Sequence, residues 1–238
     1  MSHVSLSLTC ETWLQLDIRS HTIEVWDILP DKATPYLDIP RYLQFLALVS
    51  FHVFIKEKVD VAIYETQFGG EFDAMNVIEM PTVKAITSIA MDHVNLLGPT
   101  IEKIAWHKGG IFKSRGVALS ALQEPAVATV LQQQAADKGV PLEFVDVDPT
   151  IPTNAIALKP KPQRINCSLA IAVARAWRAV KAPEGQSISE YTIARGIEQF
   201  SWPGRYQQIS DQHCRWFLDG AHNEISLRYA VEWFAEMA

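Results

Sequence analysis

The residues of this chain best suited to chemistry are gathered in two stretches, "VDVAIYETQFGGEFDAMNVI" and "SIAMDHVNLLGPTIEKIAWHKGGIFK". Glu65 closes an apolar run and His93 follows a second one. A carboxylate and an imidazole at neighbouring strand ends suit Mg2+ or Mn2+, with phosphate and water completing the coordination shell. Each also suits a plainer role, Glu65 as a solvated strand-end residue and His93 as a hydrogen-bonded loop residue. Gly69 and Gly70 allow backbone close to a ligand or positive φ, or simply turn a strand into a loop. Asp73 and Asn76 fit either substrate contact or an Asx turn. Lys108 stands at the end of a mostly apolar helix, where a lysine either complements the helix dipole or acts chemically.

Positioning these groups requires regular elements, and the sequence between them predicts such elements. "PRYLQFLALVSFHVFIKEK" reads as a helix with proline in its first turn and apolar residues on most faces, as in a buried helix. "VDVAIYE", "VKAITSIA", "GVALSA" and "PLEFVDV" read as strands. "GPTIEKIAWHKGG" reads as a helix that Thr100 opens and Gly109–Gly110 stop. "PAVATVLQQQAADKG" reads as another, with good helix formers and a terminal glycine. Apolar strands alternating with helices imply α/β architecture, a parallel sheet covered on both faces, with ligands beyond the carboxyl ends of the strands. In that arrangement Glu65 and His93 face one crevice.

Residues 1–40 show no clear period and contain the turn-rich "LPDKATPYLDIP", so no element is predicted there. After a basic, proline-rich loop, "ALKPKPQR", come two helices, "INCSLAIAVARAWRAV" and "SEYTIARGIEQF". Beyond a linker at residues 201–203, "RYQQIS" and "RWFLDG" read as strands and "HNEISLRYAVEWFAEMA" as a helix. A ββα piece of this size cannot bury a core alone. Residues 204–238 are therefore expected to begin a second domain, with residues 1–200 forming part of the first.

Composition narrows the classes. With 238 residues, 48% of them hydrophobic, there is material for a sizeable core. The net charge of −6 and the lack of any Lys/Arg run argue against nucleic acid or an anionic membrane surface as partner. Cys10, Cys167 and Cys214 are odd in number and widely spaced, which suits a reducing compartment and buried or neutral thiols. The first twenty residues lack the basic and continuous apolar regions of a secretory signal, and "YLQFLALVSFHVFI" is too short to span a bilayer. The expected location is the cytosol, with a mitochondrial form left open, and the expected folded state is a monomer.

Five segments, "YETQFGGEFDAMN", "AMDHVNLLGPTIEKIAWHKGGIFK", "PQRINCSLA", "WPGRYQ" and "LDGAHN", resemble in order and spacing the signatures of folylpolyglutamate synthases. These are ATP-dependent amide ligases of the Mur-ligase-like group, and "IAWHK" and "FHVFIKEKVDVAIYE" are similar in wording to fungal members. The resemblance implies a two-step reaction on tetrahydrofolate. ATP phosphorylates the terminal γ-carboxylate, and the amine of an incoming glutamate then attacks the acyl phosphate to form a γ-peptide bond. It implies that Glu65 and His93 hold Mg2+, and that Lys108 is carbamylated into an anion supporting the metal site. Carbamylation needs the neutral amine, which partial desolvation favours. It further implies that Asn166 lies beside adenine, that Gly69 and Gly70 belong to the cofactor-binding set, and that Arg205 stabilises phosphoryl charge. Asp219 and His222 would fix ribose and phosphates as the domains close. On the residues alone, Arg205 is equally a surface arginine, Asp219 a strand-end turn, and His222 and Asn223 helix-capping residues.

The resemblance also implies a glycine-rich phosphate loop, and this sequence contains neither G-x-x-x-x-G-K-[ST] nor any Gly-Lys pair. Such a loop supplies backbone N–H groups, a lysine and a hydroxyl for Mg2+. Losing a single preorganised donor costs ~10²–10³ in rate, so the chain as written is expected to lack ligase activity. Against the family pattern, Gly109 replaces an alanine, Met75 a threonine, and Pro162 a histidine beside the adenine-side helix. The stretch is expected to be short at both ends relative to the family, exposing apolar surface. Two readings stand: part of an active ligase, or an inactive relative with a binding role. A dinuclear hydrolase, which would also use carbamylated lysine, lacks the H-x-H pair.

Overall fold

The computed structural model describes residues 17–29, 39–66, 68–181 and 187–238. Cys10 and most of "LPDKATPYLDIP" lie outside the described residues. The chain divides into two units, Met1–Gln67 with Phe72–Val77, and Phe68–Glu71 with Ile78–Ala238.

The first unit contains a helix that the sequence did not predict, α1 (Ile18–Ile28), packed on α2 (Tyr42–Lys56). Asp17 caps α1 by accepting from Ser20 N–H at 3.1 Å. Its inward positions are His21 and Val25, while Ile23, Trp26 and Ile28 are exposed, so no continuous apolar stripe marks it. Val25 joins Val49, Val53 and Phe54 of α2 in a small core. The helix predicted from Pro40 onward is present, but it is not buried all round: Tyr42 is 74% exposed, and Leu43, Leu48 and Ile55 are exposed with it. The strand predicted at "VDVAIYE" is absent. Residues 59–66 have no ladder partner among the described residues, Ile63 is 69% exposed, and Val59 and Tyr64 pack on the small core. Tyr64 packs against Phe51 and Phe54, with ring centroids 5.0 and 5.3 Å apart. The apolar run therefore serves side-chain packing rather than a sheet.

The second unit is built on three parallel strands in the order β1 (Val83–Ile86), β2 (Val117–Ala121), β3 (Leu142–Val145). Between them run the short helix α3 (Val94–Leu97), then α4 (Ile101–Gly109) and α5 (Pro125–Asp137). The period of two assigns the faces. Ile86 and Ala118 pack with Ile104, Phe112, Val127 and Leu131 under α4 and α5. Leu119 and Ala121 point the other way, onto Leu169, Ile165 and Val173 of α6 (Lys161–Lys181). Both faces of the sheet are thus covered, as a parallel sheet requires. Lys84 alternates onto a buried face at 4% exposure, where its ammonium donates to the carbonyls of Arg115 and Lys113; burial pushes its pKa down.

The basic segment "ALKPKPQR" is shorter as a loop than the sequence suggests, because α6 begins at Lys161 and carries Pro162 in its first turn, where a missing N–H costs nothing. Helix α7 (Glu190–Glu198) packs on α6 through Ile171, Ile193 and Ile197. Beyond it, β4 (Gln207–Ser210) and β5 (Arg215–Leu218) form an antiparallel pair, followed by α8 (Glu224–Met237). Tyr206 and Phe217 meet Trp233 edge-on, with ring centroids 5.4 and 5.3 Å apart. Among the described residues of this ββα module only Trp233 is buried. Of the cysteines, Cys167 is half-buried with burial raising its thiol pKa, and Cys214 is exposed rather than buried.

Candidate active site

Helix α4 is the scaffold of the site. Thr100 caps its start by accepting from Lys103 N–H at 3.3 Å. Its last turn, which carries His107 and Lys108, is gripped by the loop of Gly69 and Gly70. Gly69 has φ +73°, and Glu71 N–H donates to His107 O at 2.8 Å. A Cβ on Gly70 would sit 2.8 Å from His107 O and 2.9 Å from Lys108 O. On the helix side, Gly110 faces the Cα and side chain of Glu71, and Gly109 lies against Leu131 and Gln134. Gly70 and Gly110 thus form one interlock: each is bare so that the opposing segment, the last turn of α4 for Gly70 and Glu71 for Gly110, can approach. Lys108 sits half-buried at this junction.

Beyond the carboxyl end of β1, the chain turns at Asp92–His93. His93 has φ 50° and ψ 34°, a left-handed conformation unusual outside glycine, at the N-cap of α3. Its carbonyl accepts from Leu96 and Leu97 N–H, its own N–H donates to Asp92 Oδ1 at 2.8 Å, and its ring meets Phe68 edge-on at 5.1 Å. The side chain remains exposed. Asp92, which sequence reasoning did not select, also reaches the ββα module: its Oδ2 lies 3.2 Å from His222 Nε2. The other ring nitrogen of His222 is 2.8 Å from Gly220 O. Both nitrogens face acceptors, so the Gly220 carbonyl first and Asp92 second raise the His222 pKa. Partial burial opposes ionisation of Asp92, but the His93 N–H and His222 outweigh it and hold the carboxyl below its usual range.

Within the module, Asp219 accepts from Tyr206 N–H and Ala221 N–H, each at 2.8 Å, and so pins the start of β4 to the "LDGAHN" turn. The Arg205 guanidinium lies over Gly220, in the space a side chain there would fill. Asn223 caps α8 by accepting from Ser226 N–H at 3.0 Å. Asn166, on α6, lines a mainly apolar cavity of about 440 Å³ with Cys167, Phe200 and Trp202. In the first unit, Glu65 is exposed, and Asp73 makes the Asx turn, accepting from Met75 N–H at 2.9 Å at the head of a 3-10 turn. Asn76 N–H donates to Asp73 O at 2.9 Å. Within the second unit, then, one region unites Asp92, His93 and His222, and another the glycine interlock around Lys108; Glu65 belongs to the first unit.

A parallel sheet covered on both faces, with a glycine-stopped helix and a polar turn beyond its strand ends, is an α/β fold of the Mur-ligase-like class. It superimposes on the FPGS–AMPPCP–folate complex with a TM-score of 0.73 at 27% identity, over 82% of this chain and 51% of that one. No protein-family model matches the chain. It is 41% identical over 223 residues to folylpolyglutamate synthase of Neurospora crassa, covering 90% of this chain and 42% of the relative. It is 36% identical to the mitochondrial folylpolyglutamate synthase of Bos taurus, over 84% of this chain and 38% of the relative. The curated homologues of this chain are folylpolyglutamate synthases, and it spans about two fifths of the length of these relatives. Among the described residues no helix is long and apolar enough to cross a membrane.

Proposed function

We propose that this chain is the portion of a folylpolyglutamate synthase-type ligase that carries the metal-side and lysine-bearing parts of the catalytic site. The reaction is ATP-dependent addition of glutamate to the γ-carboxylate of tetrahydrofolate: the γ-phosphoryl group passes to the carboxylate, ADP leaves, and the glutamate amine displaces phosphate. The observation that supports this most is the grouping of His93, in its left-handed turn, with Asp92 and His222 of the ββα module.

The family resemblance assigns Mg2+ to Glu65 of the first unit and His93 of the second, exposed oxygen and nitrogen donors of types that Mg2+ accepts beside phosphate oxygens. When bound there, the ion would neutralise phosphate charge. Lys108, half-buried beside Gly109 and Gly110, is the lysine that the family resemblance assigns to carbamylation, in which the amine adds to CO2, releases a proton and leaves a carbamate anion. Arg205, lying over Gly220, would meet phosphoryl charge from the module side. Asp219 spends two lone pairs on backbone N–H groups and keeps acceptor capacity for ribose hydroxyls. The cavity beside Asn166, walled by Phe200 and Trp202, fits a planar base with an amide at its edge. Gly69 and Gly70 act on the nucleotide indirectly, by holding the Lys108 turn. The cytosol is the proposed location, with a mitochondrial form open.

Because the 238-residue sequence contains no G-x-x-x-x-G-K-[ST], it holds no cradle for the β- and γ-phosphates. The purified chain, incubated with ATP, glutamate and tetrahydrofolate, is expected to form no elongated product. Glutamate-dependent elongation by the chain alone would overturn this reading.

A further inference from the structure

A second group of metal-ligating side chains lies in the first unit, where neither the family resemblance nor the proposed reaction uses it. His21 and Glu24 stand one turn apart on α1, and α2 contributes His52; one ligand atom from each lies within 4.8 Å of the others. His52 Nε2 is 2.6 Å from Glu24 Oε2, and His21 Nδ1 is 3.7 Å from the same oxygen.

Hydrogen bonding alone accounts for two of the three. His52 and Glu24 satisfy each other, and Lys56 Nζ donates to both Glu24 oxygens at 2.5 and 2.6 Å. His21 is different. It is 7% exposed, and its Nδ1 is buried without a hydrogen-bond partner among the described residues, a state that buried polar nitrogens rarely adopt. The other nitrogen, Nε2, lies 3.5 Å from Glu57 Oε1. A proton on Nε2, directed at Glu57, leaves the Nδ1 lone pair aimed at Glu24 and His52. A carboxylate behind a histidine fixes its tautomer in this way when the opposite nitrogen binds a metal.

We propose that His21, Glu24 and His52 form a zinc-class metal site that clips α1 to α2. Two imidazole nitrogens and one carboxylate oxygen match the donor set of zinc, with bond lengths of ~2.0–2.2 Å and a fourth position for water. Drawing the donors in to such an ion replaces the short His52–Glu24 hydrogen bond and gives the His21 nitrogen its partner. Lys56 already brings one cation to Glu24, so it competes with the metal for the same oxygens. The proposal does not depend on the ligase reading, since all the residues lie outside that site.

The test uses the full 238-residue chain, stripped with a chelator and titrated with Zn2+ against a chromophoric competitor, with Co2+ as a spectroscopic probe. One equivalent is expected to bind, to raise the melting temperature, and to give Co2+ the visible spectrum of a four-coordinate site. His52→Ala should lose that equivalent, and Glu57→Gln should weaken it roughly 10–100-fold by removing the carboxylate behind His21. Lys56→Met should tighten it, while His93→Ala should leave it intact. Circular dichroism of each metal-free variant separates loss of ligand from loss of fold, and the Glu57 and Lys56 variants keep the test decisive where His52→Ala fails to fold. The proposal is overturned by a folded chain that takes up no Zn2+, or by undiminished uptake in the His21→Ala/His52→Ala double variant.

Discussion

His222 Nε2 lies 3.2 Å from Asp92 Oδ2, joining residues 130 positions apart and tying the ββα module to the loop beyond β1. The pair is exposed, so its coupling is expected to be under about 1 kcal/mol. In a double-mutant cycle of Asp92→Asn and His222→Ala, urea unfolding should show the two losses to be less than additive. The sign of the pH effect follows from His222, whose folded pKa is raised. Its contribution is complete below the unfolded value near 6.5 and is lost as pH rises through the higher folded value. Coupling that grew between pH 6 and pH 9 would contradict the contact.

The close approach of Gly70 to the last turn of α4 makes Gly70→Ala costly. The added carbon would meet two helix carbonyls at 2.8 and 2.9 Å, where backbone has to move. A loss of roughly 1–3 kcal/mol is expected on denaturant unfolding. Gly196→Ala, within α7 and facing open space, provides the contrast: it should stabilise by about 0.5–1 kcal/mol through helix propensity.

Asp148 is expected to be the main acid-sensitive pin between the end of β3 and α6. It is buried, it accepts from Thr150 N–H at 2.9 Å and from the Thr150 hydroxyl and Arg175, and its own N–H donates to Ser168. Burial opposes ionisation, but Thr150 and Arg175 outweigh it and lower the pKa. Its stabilisation is therefore present above the ordinary aspartate range and is lost as pH falls through the lowered folded value. Asp148→Asn should cost about 1.5–3 kcal/mol at neutral pH and flatten the acid limb of the stability profile.

How far the sequence reveals this molecule depends on the range of the interactions involved. Helices α4, α5 and α8 announce themselves because Thr100, Pro125, Asn223 and the apolar faces act within a few residues. The run 59–65 has the composition of a strand, but a strand exists only by pairing, and composition does not name a partner. Helix α1 escapes because a histidine occupies one of its inward positions, where an apolar residue would have completed the period. The glycines are visible as glycines, yet the reason for two of them, Gly70 against the His107 and Lys108 carbonyls and Gly110 against Glu71, appears only when the chain folds back. Asp92 is the same case on a larger scale: beside His93 it reads as a loop residue, and its meaning comes from His222.

The central claim is that this stretch carries a working part of a folylpolyglutamate-adding ligase, and a transplant tests it most directly. The matching region of the Neurospora crassa relative would be replaced by this chain, and ATP- and glutamate-dependent elongation of tetrahydrofolate measured alongside His93→Ala and Lys108→Ala in the same chimera. The expected result is elongation by the chimera, with losses of at least ~10²-fold in both variants. A folded chimera that forms no product, or variants as active as their parent, would contradict it.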